Sequence, residues 1–346
     1  MQPGAAFQAE SPARAPQQPS LQDAQRATEA LPEALFRYVL STGCRHQAAL
    51  VVLTSAVFLI EVVPLELQRR VVNDLVKHRA YGAVVLLCAL YAGAAFAQGG
   101  IKLAVNIYRS WVGERAVRDL RRRVYAGAAS GGVRLASVDL QGTAAAMIVA
   151  EVEPIGGFVG SAIAEPLLQG GILASVFAYL IHLDPWLAAV ALLLFTPQLV
   201  FVPLMQRGMN RRVGARVAIL RQIGAGVLAP YPDRGGTADS RIDRVFQVNM
   251  GVFKLKFTMN FLMNLATHLQ VVAALLYGGW LVHSEQIEVG AVVAFISAIG
   301  RLNDPWGDLV NYFREVNFAR VKYGLLTGAL RRSAMEPPMT ETRSAS

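Results

Sequence analysis

Six long apolar stretches, with the basic residues between them very unevenly shared, constrain this chain more than any motif in it. The stretches cover 47–65, 81–105, 155–182, 186–205, 257–283 and 289–312. Each is long enough to cross a hydrocarbon core of ~30 Å as a helix, which takes about 20 residues. Only a helix or a closed barrel satisfies its backbone inside lipid, and these runs lack the alternation of barrel strands. With the N-terminus placed in the cytoplasm, segments 1–46, 106–154, 206–256 and 313–346 carry 27 Lys and Arg, against 4 in the opposite connections, all within 65–80. Lys102 and Arg301 fall inside the stretches themselves. That asymmetry sets orientation. The expectation is an all-α polytopic membrane protein with six transmembrane helices, both termini cytoplasmic, in the cytoplasmic membrane of a bacterium.

Composition points the same way. Hydrophobic residues make up 54% of the 346 and charged residues 16%, too apolar for a soluble chain of this length. The net charge of +9 is accounted for by cytoplasmic flanks facing anionic headgroups, so no nucleic-acid partner is expected. The two cysteines, Cys44 and Cys88, are too few for a disulfide scaffold and are expected as reduced thiols. No metal spacing, paired-carboxylate, Ser/His/Asp or Cys/His arrangement is present. The chain is therefore expected to be neither an enzyme nor a metal or cofactor binder.

Residues 1–32 are rich in Ala, Gln and Pro and are expected to form a disordered cytoplasmic tail, as are 331–346. The six-helix domain is placed at 33–330. Leu35, Phe36, Val39 and Leu40 form an apolar patch beside Arg37, the pattern of a short helix lying in the membrane interface or of a longer first helix. The outward connections are short (66–80, 182–185 and 282–288), whereas the two inner ones run to about fifty residues of helix-forming sequence. At 1.5 Å per residue, a hairpin of that length projects roughly 30–35 Å into the cytoplasm. Two such stalks need something to touch.

With those features in place, the chain resembles the type-1 transmembrane domain of ABC exporters over about 33–330. Glu61-Val62-Val63-Pro64 and Val72-Asn73-Asp74-Leu75-Val76 are similar to the end of that family's first helix and its outer loop. The basic stretch Arg109–Tyr125, the return through Gly142 to Phe158, the turn Asp184-Pro185-Trp186-Leu187 and the pair Arg211-Arg212 follow in the family's order. So do Val289–Phe295, Pro305-Trp306 and Phe318-Ala319-Arg320. The resemblance implies a homo- or heterodimer of such domains, a cavity between them, and ATPase domains beneath the stalks. ATP enters only through a separate ATP-binding subunit. A Walker A loop needs a glycine before its lysine, and the five lysines follow Val76, Ile101, Phe253, Leu255 and Val321. A second departure is Pro230–Gly236, where two prolines and two glycines oppose the expected docking helix.

Six residues are candidates for the substrate pathway. Arg301 lies near the middle of the sixth stretch, where a charge costs about 2.5–3.5 kcal/mol and must face a cavity or a partner. Asp304, three residues on, is the expected partner. Asn260, Asn264 and His268 recur at i, i+4 and i+8 beside Thr267 as one polar stripe, suited to interhelical bonding or to substrate contact. Glu165, just before Pro166, sits inside the third stretch and fits either a proton-carrying carboxylate or a helix-kinking bond. Gly156 and Gly160 form a GxxxG packing face. The arginines of 115–123 suit an acidic partner or simple anchoring. The function expected is the membrane-spanning subunit of an ABC-type transporter. An ion-coupled carrier of the same fold and a non-transporting scaffold derived from an exporter domain are the alternatives.

Overall fold

A computed structural model describes residues 31–130, 152–227 and 237–335. Among these every regular element is an α-helix: α1 Leu35–Ser41, α2 Cys44–Ile60, α3 Val62–Val76, α4 Tyr81–Ser130, α5 Val152–Ser161, α6 Ala164–Leu183, α7 Pro185–Val227, α8 Thr237–His283, α9 Val289–Gly300 and α10 Asn303–Met335. Five helical segments are long and apolar enough to span a membrane: Cys44–Val76, Tyr81–Tyr125, Val152–Leu183, Pro185–Gly224 and Asp239–His283. The chain has the make-up of a multi-pass membrane protein. The sixth apolar stretch differs from its expected form. It is divided between α9, of 12 residues, and the start of α10, and neither part alone has the length of a span.

The first outward connection also differs. Helix continues to Val76, well past 65, because Glu66 bonds Arg69 at 2.7 Å and Arg70 at 2.8 Å along the helix face. Only the residues before Tyr81 form the turn, with His78 at φ 51° and Arg79 N–H donating to the Asp74 carbonyl at 3.0 Å. That is a helix-ending loop of the kind usually closed by glycine. The next turn is as the sequence suggests: Asp184 caps α7 by accepting the Leu187 N–H at 2.6 Å, and Pro185 occupies the first helical position. The segment Pro230–Gly236, residues 131–151 of the first inner hairpin and residues 1–30 lie outside the described residues. Helix α10 runs on to Met335, five residues into the expected tail.

The chain divides into two compact units, one of Gly43–Trp111 and Gly160–Phe318, the other of Met1–Thr42, Val112–Val159 and Ala319–Ser346. In the larger unit, α2, α6, α7 and α9 meet around Val57, Leu168, Ile172, Leu180, Leu187, Phe295 and Ile299, all buried. Its α7 and α8, of 43 and 47 residues, pack along one another. In the smaller unit, Leu35, Tyr38 and Val39 of α1 are buried, Phe36 packs edge-on to Phe158 at 5.9 Å, and Leu40 is exposed. The apolar patch expected on α1 is thus divided, with most of it spent on protein contact. Gly156, one of the two glycines of the GxxxG face read from sequence, packs on α4: a Cβ there would collide with Val117 and come within 3.0 Å of the Gly113 carbonyl oxygen.

Backbones also pack closely where α9 meets α3. Gly290 N–H donates to Asn73 Oδ1 at 2.7 Å, and a Cβ on Gly290 would collide with the Arg69 carbonyl. Glu288 closes this contact by bonding Asn73 and Lys77. The Lys77 ammonium, first among its partners, holds the Glu288 carboxyl below the usual carboxylate range. Two outcomes follow. Gly290→Val should lower stability by about 1–3 kcal/mol, read as an earlier thermal transition of the detergent-solubilised protein. A carboxyl whose folded pKa is depressed adds stability above its unfolded value, about 4.3, and loses it as pH falls through the folded one. The stability gap between wild type and Glu288→Gln should therefore be present at pH 7 and shrink below pH 4.

Candidate functional site: charged groups at three helix breaks

Three apolar stretches are interrupted, and each interruption stands ahead of a proline: Glu61 before Pro64, Ala162–Ile163 before Pro166, and Arg301–Leu302 before Pro305. Proline lacks an N–H and its ring crowds the carbonyl four residues back, so each break leaves backbone acceptors without their helical donors. In lipid such groups must be satisfied within the protein. At the third break the chain tightens, with Arg301 N–H donating to Ala298 O at 3.0 Å and Leu302 N–H to Ile299 O at 3.1 Å. Asn303 ends the turn by donating its side-chain amide to Thr267 Oγ1 of α8 at 2.5 Å.

The first and third breaks are joined by charge. Arg301 Nη1 donates to Glu61 Oε1 at 2.6 Å and to the Glu61 carbonyl at 3.3 Å. The Gln98 amide of α4 donates to the other Glu61 oxygen. The expected Arg301–Asp304 pair is therefore corrected. The turn at 301–302 takes the two residues off a common helical face, the Arg301 guanidinium goes to Glu61, and the Asp304 residue is exposed. Both partners of the Glu61–Arg301 pair are largely withdrawn from solvent, with side chains 14% and 28% exposed.

The second break has its own network. Glu165 accepts from Arg109 Nη1 through one carboxylate oxygen and from Gln169 Nε2 at 2.9 Å through the other. The same Gln169 amide reaches Asp308 Oδ2 of α10 at 3.1 Å. Tyr312, one helical turn beyond Asp308, donates its hydroxyl to the Ala162 carbonyl at 2.6 Å. Ala162 is the residue four before Pro166, so the hydroxyl takes the place of the missing backbone donor.

Of the sequence candidates, Arg301 and Glu165 lie in these networks and Asp304 does not. Asn260, Asn264 and His268 share one exposed side of α8 and do not join them, whereas their neighbour Thr267 does. Glu61, Gln98, Arg109, Gln169, Asp308 and Tyr312 were not singled out. A charged or amide residue within four positions before an intramembrane proline would have flagged Glu61. The helix-to-helix partners carry no such local mark. Among the described residues no group of three or more His, Cys, Asp or Glu is placed to hold a metal, and Cys44 and Cys88 are free and exposed. The arrangement supplies ordered donors and acceptors in a low-dielectric setting, fit for guiding a polar solute or for holding bent helices. In comparisons with known proteins, no family model matches the chain and no curated protein is similar to it.

Tyr312→Phe keeps the ring and removes only the donor to Ala162. It should cost about 1–3 kcal/mol, the penalty for one unsatisfied buried acceptor, in thermal unfolding of the purified protein. Phe313→Leu, one residue along on an exposed position, should be close to neutral.

Proposed function

We propose that this chain is the membrane-spanning subunit of an ABC-type transporter, working as a dimer with a separate ATPase subunit. The observation that carries this reading is the α7–α8 pair. At 1.5 Å per residue its helices extend about 65–70 Å, twice the ~30 Å of a hydrocarbon core, so a long packed hairpin continues beyond the membrane. Such a hairpin serves little purpose for a membrane-embedded pathway alone and suits contact with a cytoplasmic motor. The exposed Asn260, Asn264 and His268 support the dimer. Polar side chains on a lipid-facing surface are costly, and a water-filled cavity between two copies removes that cost. Orientation with both termini in the cytoplasm, in a bacterial inner membrane, belongs to the same reading.

Purification in mild detergent should bring down a nucleotide-binding subunit, and vanadate should block transport by the complex. A complex without such a subunit whose transport ignores vanadate contradicts the proposal. With Cys44 and Cys88 replaced, cysteines at 260, 264 and 268 should react with a water-soluble thiol reagent. Cysteines at the exposed apolar neighbours Phe261 and Leu265 should not.

A second reading, an ion-coupled carrier of the same fold, is favoured by one observation: Gln169 bridges two carboxylates, Glu165 and Asp308, from different helices. It requires uptake driven by an imposed proton gradient and abolished by Glu165→Gln. Uptake that ignores an uncoupler while depending fully on ATP excludes it. A scaffold shows neither dependence.

A further inference from the structure

A basic concavity in the smaller unit lies between α1 and the 115–123 segment of helix α4. This cleft of about 700 Å³ is lined by Arg115, Arg118, Arg122 and Arg123 together with Tyr38, Ser41, Thr42 and Asp119. Positions 115, 118 and 122 are spaced i, i+3 and i+7, so one helix face aims three guanidinium groups at the same space. The single lining carboxylate, Asp119, is taken by Arg123 at 2.9 Å and stands within 3.5 Å of the Tyr38 hydroxyl. Neither Arg118 nor Arg122 has an ion-pair partner among the described residues, and both are exposed. The cleft thus carries four arginines against one carboxylate. On the opposite wall Ser41 Oγ and Thr42 Oγ1 donate to the Tyr38 carbonyl at 3.0 and 2.7 Å, and Tyr38 itself is buried. Burial pushes the Tyr38 phenol well above its ordinary range, so it remains a protonated donor at any physiological pH.

We propose that this cleft binds a phosphate-bearing anion, held by the Arg118 and Arg122 guanidinium groups with Arg115 beside them. Guanidinium groups match phosphate through paired N–H donors, which favours a phosphoryl group over a simple halide. Two sources supply this chemistry, an anionic phospholipid headgroup and a soluble phosphate compound. The site is independent of transport, because it uses none of the residues at the helix breaks.

The full-length protein, purified in neutral detergent, is compared with Arg118→Gln/Arg122→Gln and with a control pair on α8, Arg241→Gln/Arg244→Gln. Retention of phosphatidylglycerol against phosphatidylcholine is read by native mass spectrometry, and inorganic phosphate is titrated in a thermal-shift assay. Loss of two charge-assisted contacts should lower the affinity of the cleft variant at least tenfold, with wild type and the control alike. A phosphatidylglycerol difference without a phosphate difference assigns the site to lipid, and a difference in both assigns it to the phosphoryl group itself. Equal retention and equal shifts in all three proteins overturn the proposal. If the cleft variant unfolds, Arg118→Lys/Arg122→Lys keeps the charge and loses the planar fork. It should show an intermediate loss, and wild-type binding by it overturns the phosphate geometry.

Discussion

The contact on which the larger unit depends is the one between Arg301 and Glu61. A proline inside a membrane helix is affordable only if the acceptors it orphans find donors, and water is absent. Here a guanidinium reaches both the carboxylate and the carbonyl of Glu61 at another break. One side chain thereby anchors the end of α9 to the junction of α2 and α3. Tyr312 acts on the orphaned acceptor itself, the Ala162 carbonyl four residues before Pro166. Glu61, by contrast, is the residue after Ile60, whose carbonyl Pro64 leaves without its donor.

Glu61, Glu165 and Arg301 each lie at or beside a break, where backbone geometry already requires polar company, whereas Lys102 lies within the unbroken α4. Arg109, Glu165, Gln169 and Asp308 extend the pattern across α4, α6 and α10. Burying a charge pair is seldom a net gain against well-packed apolar residues. Its value here is positional, because it fixes where bent helices meet. Around it, apolar burial on α2, α6, α7 and α9 supplies the bulk of the packing.

Much of the fold was legible in the sequence and the partners were not. Apolar length gave five of the expected spans, and Asp184-Pro185 gave the tight turn, because both depend on neighbours in sequence. The sixth stretch is not shown as a span: its hydropathy is continuous through Arg301, whereas its helix is interrupted at 301–302, ahead of Pro305. Arg301 was recognised as needing a partner, but local spacing nominated Asp304, three residues away. The true partner lies 240 positions distant and is brought near only by packing. The Asn260–Asn264–His268 stripe was read correctly as one face of a helix. Its direction, outward from the chain, depends on which side of α8 the partner helix α7 takes.

The most direct test is a double-mutant cycle on Glu61→Leu and Arg301→Leu in the purified protein, with stability as the readout. Each single change strands the other charge and should cost up to about 3–5 kcal/mol. The double change should recover much of that, for a coupling energy above about 1 kcal/mol. The parallel cycle of Asp304→Leu with Arg301→Leu should give a coupling near zero. Strong coupling to Asp304 with additive effects at Glu61 would contradict the account.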